Sequence, residues 1–231
     1  MFRRLAMVFV ATMLFGATVA TPATADTVLD LDLEQQYLEV FEEKGIPAER
    51  WDALLEKVKR GETLDADRPG ISVPVSVETL VEDGIEIERS TFSDGTVSEL
   101  YGVSESTILN DGIQLLGAQA KSYSTSGKRK NCRIVYDGIS FSYSFRAEFT
   151  PSTAAVAKAT VSAARGATIH RALGHTTSEV TAYVARKTQS GVTPAHGRMK
   201  FQMTALGIVG SRTIYLDLKV RDHQYWVETN L

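Results

Sequence analysis

The ten residues Ser140-Phe141-Ser142-Tyr143-Ser144-Phe145-Arg146-Ala147-Glu148-Phe149 decide the fold. Phe141, Tyr143, Phe145, Ala147 and Phe149 alternate with three serines, Arg146 and Glu148. A β-strand sends successive side chains to opposite faces, so this order puts the aromatics on one face and the polar groups on the other. A helix would scatter the same residues around its surface. Met199, Phe201, Met203 and Ala205 repeat the pattern. So do Ile214, Leu216, Leu218 and Val220, with Tyr215, Asp217, Lys219 and Arg221 between them. Half-buried strands of this kind build antiparallel sheets with one wet face.

Around this stretch the same reading predicts strands over 133–136, 139–151, 154–164, 168–173, 178–187, 198–206, 212–220 and 224–228. Short strands at that spacing, parted by Gly and Ser/Thr turns, suggest a sandwich or barrel. The expected fold class is mainly β. Its centre is a basic, antiparallel, immunoglobulin-like β-sandwich over 121–231.

Upstream the period changes. Leu33, Tyr37, Val40 and Phe41 follow helical spacing over 31–44, and Gly45 is a natural stop. Pro47 suits the first turn of a second helix, in which Trp51, Leu54, Leu55 and Val58 share a face. The pair makes an acidic helical hairpin within 26–61, too small to hold a core alone. Its apolar stripe, centred on Trp51, must dock on something. Residues 62–75 read as a linker, with Pro69-Gly70 and Pro74 as breakers. Residues 76–120 read as an acidic β-meander and a connecting segment, with Asp83-Gly84 and Asp94-Gly95 as tight turns. Asp111-Gly112 and Asp137-Gly138 read as further turns, since none of the four pairs has the alternating oxygen ligands of a calcium loop.

Residues 1–25 read as a signal peptide. Arg3 and Arg4 precede the apolar run 5–19, and Ala23-Thr24-Ala25 places the cut between Ala25 and Asp26. The expected protein is secreted, with no membrane span in the mature chain.

Charge is divided along the sequence. From Asp26 to Ala120 there are 7 Lys+Arg and 22 Asp+Glu. From Lys121 to Leu231 there are 16 Lys+Arg and 6 Asp+Glu. The two halves should attract each other, so intramolecular pairing of acidic 26–120 with basic 121–231 is one expectation. The other is an external polyanion. Lys128, Arg129 and Lys130 form a cluster, and Arg146, Arg198, Lys200, Lys219 and Arg221 fall on polar strand positions. A sheet face carrying these eight residues would bind an anionic cell-wall polymer or glycan by releasing its counterions. Nucleic acid suits an exported protein less well.

Catalytic chemistry leaves little trace. There is no Gly-x-Ser-x-Gly elbow, phosphate-binding glycine loop or His-Glu-x-x-His, and no catalytic, metal or cofactor residue is assigned. The basic half holds all four histidines, His170, His175, His196 and His223, and the carboxylates Glu148, Glu179, Asp217 and Asp222, without motif spacing. The single cysteine, Cys132, reads as a buried small hydrophobe beside Ile134. An exposed thiol there would be acidified by Lys128, Arg129, Lys130 and Arg133.

Three places carry a resemblance. They are Gly45 to Gly61 with Trp51-Asp52-Ala53-Leu54-Leu55-Glu56-Lys57, the turn Phe92-Ser93-Asp94-Gly95-Thr96-Val97, and Tyr215-Leu216-Asp217-Leu218-Lys219-Val220 with Tyr225-Trp226. The arrangement resembles a group of small secreted proteins of Gram-positive actinobacteria. The resemblance implies an exported β-rich protein with a helical preface, and it supplies no catalytic residues. The leading expectation is a non-enzymatic binding module for the cell surface or an extracellular polyanion. The alternatives are a secreted membrane-active toxin or antimicrobial protein, and an extracellular hydrolase.

Overall fold

The computed structural model describes residues 31–68, 71–82, 85–104, 121–122, 127–152, 158–205 and 211–230. The expected signal peptide, the Asp83-Gly84 and Asp111-Gly112 turns and the start of the strand expected at 154 lie outside these residues. Two helices come first, α1 (Leu31–Glu43) and α2 (Trp51–Lys59). Eleven strands follow among the described residues: β1 (Ser76–Glu82), β2 (Ile85–Thr91), β3 (Val97–Ser104), β4 (Lys121–Ser122), β5 (Arg129–Asp137), β6 (Phe141–Thr150), β7 (Thr160–Ala172), β8 (His175–Arg186), β9 (Ala195–Ala205), β10 (Arg212–Arg221) and β11 (Gln224–Thr229).

The strands form an antiparallel sandwich. One sheet has the order β1-β2-β3-β5-β6-β7 and the other β4-β11-β10-β9-β8. Neighbours in each sheet are mostly neighbours in sequence, so the layers are built from hairpins. The aromatic face of β6 supplies the core: Phe141, Tyr143, Phe145 and Phe149 are at most 2% exposed. Met199, Phe201, Ile214, Leu216, Leu218 and Val220 meet them from the second sheet. Burying each such side chain contributes about 1.5–3 kcal/mol, and this interdigitation holds the layers together. Tyr143 and Phe201 stack edge to face across the interface, with ring centroids 5.1 Å apart.

The boundary expected at residue 121 runs through this arrangement. β3 pairs with β5, so the six-stranded sheet draws strands from both sides of it. The physical reason is the edge: an isolated meander would leave β3 unpaired, and β5 supplies its ladder. The strands expected at 154–164 and 168–173 also differ. β7 runs unbroken from Thr160 to Ala172, and a register shift opposite Phe145 absorbs the extra residues around Gly166 (φ 64°). A bulge, not a turn, is what the glycine serves.

The helical hairpin docks as its apolar stripe requires. Gly45 (φ 66°) and Gly61 (φ 72°) end the two helices in the left-handed conformation. Ile46 N–H reaches back to the Phe41 carbonyl (2.9 Å) and Glu62 N–H to that of Lys57 (3.0 Å). Tyr37, Phe41, Leu54 and Leu55 then pack on Phe92, Ile139 and Leu173, three residues at turns of the sandwich. The centre of the contact is Phe41, fully buried, while Trp51 sits at its margin and donates its indole N–H to the Ile46 carbonyl at 2.9 Å.

The stretch 62–75 is more than a linker. Leu64, Ala66 and Asp67 are buried. Asp67 accepts the backbone N–H groups of Ile139 (2.9 Å) and Ser140 (3.0 Å), and the Tyr136 hydroxyl donates to the Ala66 carbonyl. Asp67 therefore staples this segment under the β5–β6 turn.

The sandwich is closed along one side. Val161 N–H bonds the Lys187 carbonyl and Gln189 N–H that of Ala159, both at 2.9 Å, so the start of β7 is tied to the chain leaving β8. On the other side β1 is an edge, and a cleft of about 360 Å³ lies between β1–β3 and β11.

Candidate functional site: an arginine rung on the outer sheet face

The outer face of the six-stranded sheet is made by the residues that alternate with the core aromatics. On β5 these are Arg133, Val135 and Asp137; on β6 they are Ser142, Ser144, Arg146 and Glu148. The register places Arg133 directly opposite Arg146, and Arg146 directly opposite Arg165 of β7. Three arginines thus form one rung across three neighbouring strands. Directly opposed like charges are destabilising in a sheet, so a rung of this kind calls for negative charge.

Within the face Glu148 supplies such charge. Its carboxylate lies 3.1 Å from Lys128 and 3.1 Å from Arg165. These two cations hold it below the usual carboxylate range. Glu148 thus sits at one end of a face that also carries Arg133 and Arg146.

His170 of β7 flanks the rung. Its Nε2 lies 3.0 Å from Arg133 Nη2 and 2.8 Å from Ser144 Oγ. The guanidinium has only protons to offer, so Nε2 accepts and the ring is neutral. Burial and the Arg133 charge together press its pKa below the ordinary histidine value.

The opposite end of the same face is balanced. Lys44, at the end of α1 and 3% exposed, reaches Glu99 at 2.6 Å and Asp137 at 2.7 Å. Arg171 bonds Asp137 at 2.6 Å, together with the Ile139 and Gly138 carbonyls. Arg89 bonds the Lys44 carbonyl and approaches Glu99 at 3.5 Å. This network anchors the helical hairpin to the sheet. Two ion pairs among the described residues join 26–120 to 121–231: Lys44 with Asp137, and Glu43 with Arg171 at 3.7 Å. In the first, the cation comes from the acidic half.

The eight residues expected to share one face fall on two. Lys128, Arg129, Lys130 and Arg146 belong to the β5–β6 region of the first sheet, and β5 begins at Arg129, inside the basic cluster. Arg198, Lys200, Lys219 and Arg221 lie on β9 and β10 of the other sheet. There the charges are matched. Arg198 holds Asp217 with two bonds, at 2.7 and 2.6 Å, and stacks over the Tyr215 ring at 4.1 Å. His196 approaches the same carboxylate at 3.0 Å. Burial pushes Asp217 up, but the bonds from Arg198 and His196 outweigh it and hold the group below its usual range. Lys219 pairs with Glu228, and Arg221 donates to the Val192 carbonyl at 3.2 Å. Lys200 stands opposite Tyr215 in the ladder.

Arg165 and His170 join the site without any motif in the sequence to single them out. Polar alternation marks Arg133 and Arg146 as outward. Only the β6–β7 register, with its bulge, brings Arg165 into line. Cys132 is buried, 4% exposed, in the sandwich core, as read from its apolar neighbour. The remaining histidines are dispersed. His175 lies against Phe141 at the β7–β8 turn, with ring centroids 4.6 Å apart, and His223 occupies the β10–β11 turn. Among the described residues no three His, Cys, Asp or Glu side chains are placed to hold a metal ion. No described helix is long and apolar enough to cross a membrane.

Comparison with protein-family models, with curated proteins and with solved structures finds no match for this chain. The geometry of the site is therefore the ground for its function.

Proposed function

We propose that this chain is a secreted, non-enzymatic binding protein that holds an anionic polymer against the outer face of β5–β7. The observation that carries the reading is the rung Arg133–Arg146–Arg165, in register across three strands. A polymer with repeating phosphate, sulfate or carboxylate groups would lie across the strands and meet one guanidinium on each. Bidentate bonding suits guanidinium to such groups. Lys128 and His170 flank the rung and would extend the contact. An acidic cell-wall polymer or glycan has the required repeat of charge.

The matched ion pairs of the second sheet favour the first sheet as the contact. Arg198 and Lys219 each hold a carboxylate of their own, whereas Lys128 and Arg165 share that of Glu148. The test is retention on immobilised dextran sulfate at low salt. The full chain is expected to be retained and Arg133→Ala/Arg146→Ala/Arg165→Ala to flow through, while Lys200→Ala behaves like the parent. Equal retention of the triple variant would refute the assignment of the rung.

A further inference from the structure

The first sheet ends in a strand that no described element covers. β1 pairs with β2 along all seven of its residues and stands last in the sheet order. Its far side presents a row of backbone N–H and C=O groups, a template for another strand. Edge strands are commonly blunted by lysine, proline or a bulge. β1, Ser76-Val77-Glu78-Thr79-Leu80-Val81-Glu82, contains no lysine or proline, and its pairing with β2 has no register shift.

The side chains of this strand are also uncovered. Val77 and Val81 are 54% and 66% exposed, and Val73 and Val75, which lead into the strand, 82% and 67%. Val77 stands opposite Ser90, on the face that lines the cleft beside β11. Val81, four residues on, shares that face. A contiguous exposed apolar row of this kind marks an interaction site.

We propose that the occupant of this edge is β1 of a second copy of the chain, added antiparallel about a two-fold axis at Thr79. An axis perpendicular to the sheet keeps each face on its own side, so odd positions oppose odd and even oppose even. Thr79 is the midpoint of β1, so this register overlaps the strand over its whole length. It sets Val77 opposite Val81 of the second copy, twice, and Glu78 opposite Leu80. No glutamate opposes a glutamate, whereas an axis at Leu80 would set Glu78 against Glu82. Apolar β-branched pairs directly opposite favour a sheet, and like charges oppose it. The strand is thus complementary to itself in its longest register, as an isologous interface requires.

Sedimentation velocity of the chain over a concentration series tests this. The parent is expected to pass from monomer to dimer and to stop there, because the pairing consumes the edge. Val77→Lys/Val81→Lys sets lysine opposite lysine twice and is expected to raise the dissociation constant by roughly ten-fold or more. Val77→Glu/Val81→Lys sets glutamate opposite lysine twice and is expected to restore the dimer. Both positions are exposed, so both variants should fold, which circular dichroism checks. A parent that stays monomeric at every concentration, whether its edge is covered by the chain itself or kept for a different protein, would overturn the proposal. So would growth beyond the dimer, a double-lysine variant that associates like the parent, or a charge-swapped variant that folds and stays monomeric.

Discussion

Arg133 of β5 and Arg146 of β6 stand directly opposite one another, and Arg165 of β7 continues the line. An antiparallel sheet gains from opposite charges in such pairs and loses from like ones, by roughly 0.2–1 kcal/mol each. A protein under selection for stability alone would avoid this rung. Its presence suggests a use that outweighs the cost.

From this follows a stability prediction opposite in sign to the usual one. Arg146→Gln removes the central charge of the rung, which stands in register with a like charge on each side. Its melting temperature should equal or exceed that of the parent, while retention on dextran sulfate falls. Thermal unfolding followed by circular dichroism checks this. A marked loss of stability would mean that Arg146 is a structural residue.

Lys44 should behave differently. It is 3% exposed and lies within 2.7 Å of both Glu99 and Asp137. Lys44→Ala leaves those carboxylates facing one another without the cation between them. Breaking a buried pair in this way typically costs about 3–5 kcal/mol. Urea unfolding should show that loss, with the helical hairpin released before the sandwich. Arg198→Ala, by contrast, lies near solvent and should cost less.

Gly138 is a test of close packing rather than of turn conformation. The sequence reads both Asp137-Gly138 and Asp94-Gly95 as turns, and Gly95 has φ 88°. Gly138 is not among the positive-φ glycines; a Cβ there would lie 2.6 Å from Asp67 Oδ1 and 2.8 Å from the Tyr136 hydroxyl. Gly138→Ala must push the Asp67 carboxylate away from the Ile139 and Ser140 N–H groups. The expected cost is about 1–3 kcal/mol for overpacking, with a further penalty for each buried donor left unmatched. A melting temperature unchanged by Gly138→Ala would contradict the stapling role of Asp67.

Asp67 also sets a pH dependence. Burial raises its carboxyl to about 6, although the Ser140 side chain, the two backbone donors and Arg171 pull the other way. The folded chain then holds a proton between about pH 4 and 6 that the unfolded chain has released. Unfolding free energy falls with pH wherever the native state binds more protons. This group alone should therefore stabilise the fold at pH 4 and lose that contribution as pH rises through 6, by about 3 kcal/mol in total at ~1.4 kcal/mol per unit. His170 acts in the opposite sense. Its depressed pKa means stability present above the ordinary histidine range and lost as pH falls below it. Comparing Asp67→Asn with the parent between pH 4 and 7 separates the two contributions.

Much of the fold is legible in the sequence because strand alternation and helix caps are local. The core positions of β6 and β10 can be read directly, as can the ends of both helices at Gly45 and Gly61. Register is not legible, since pairing depends on residues far apart in sequence. That is why the basic residues of β9 and β10 look equivalent to those of β5 and β6. It is also why nothing in the sequence marks Arg165. The partnership of Asp67 with the β5–β6 turn spans more than seventy residues and leaves no periodic trace. A buried carboxylate in a stretch bounded by prolines looks like any polar linker residue until the turn above it is in place.

The most direct test of the central claim is the salt dependence of dextran sulfate binding, measured for the parent and for Arg133→Ala, Arg146→Ala and Arg165→Ala singly. Polyanion binding weakens linearly in log–log form as salt displaces the contact, with a slope set by the number of charges engaged. Each arginine removed from the rung should lower that slope by about one, whereas Arg198→Ala and Lys219→Ala should leave it unchanged. If the slope drops instead for Arg198→Ala and Lys219→Ala, and holds for the rung variants, the second sheet is the contact and the rung is not the binding site.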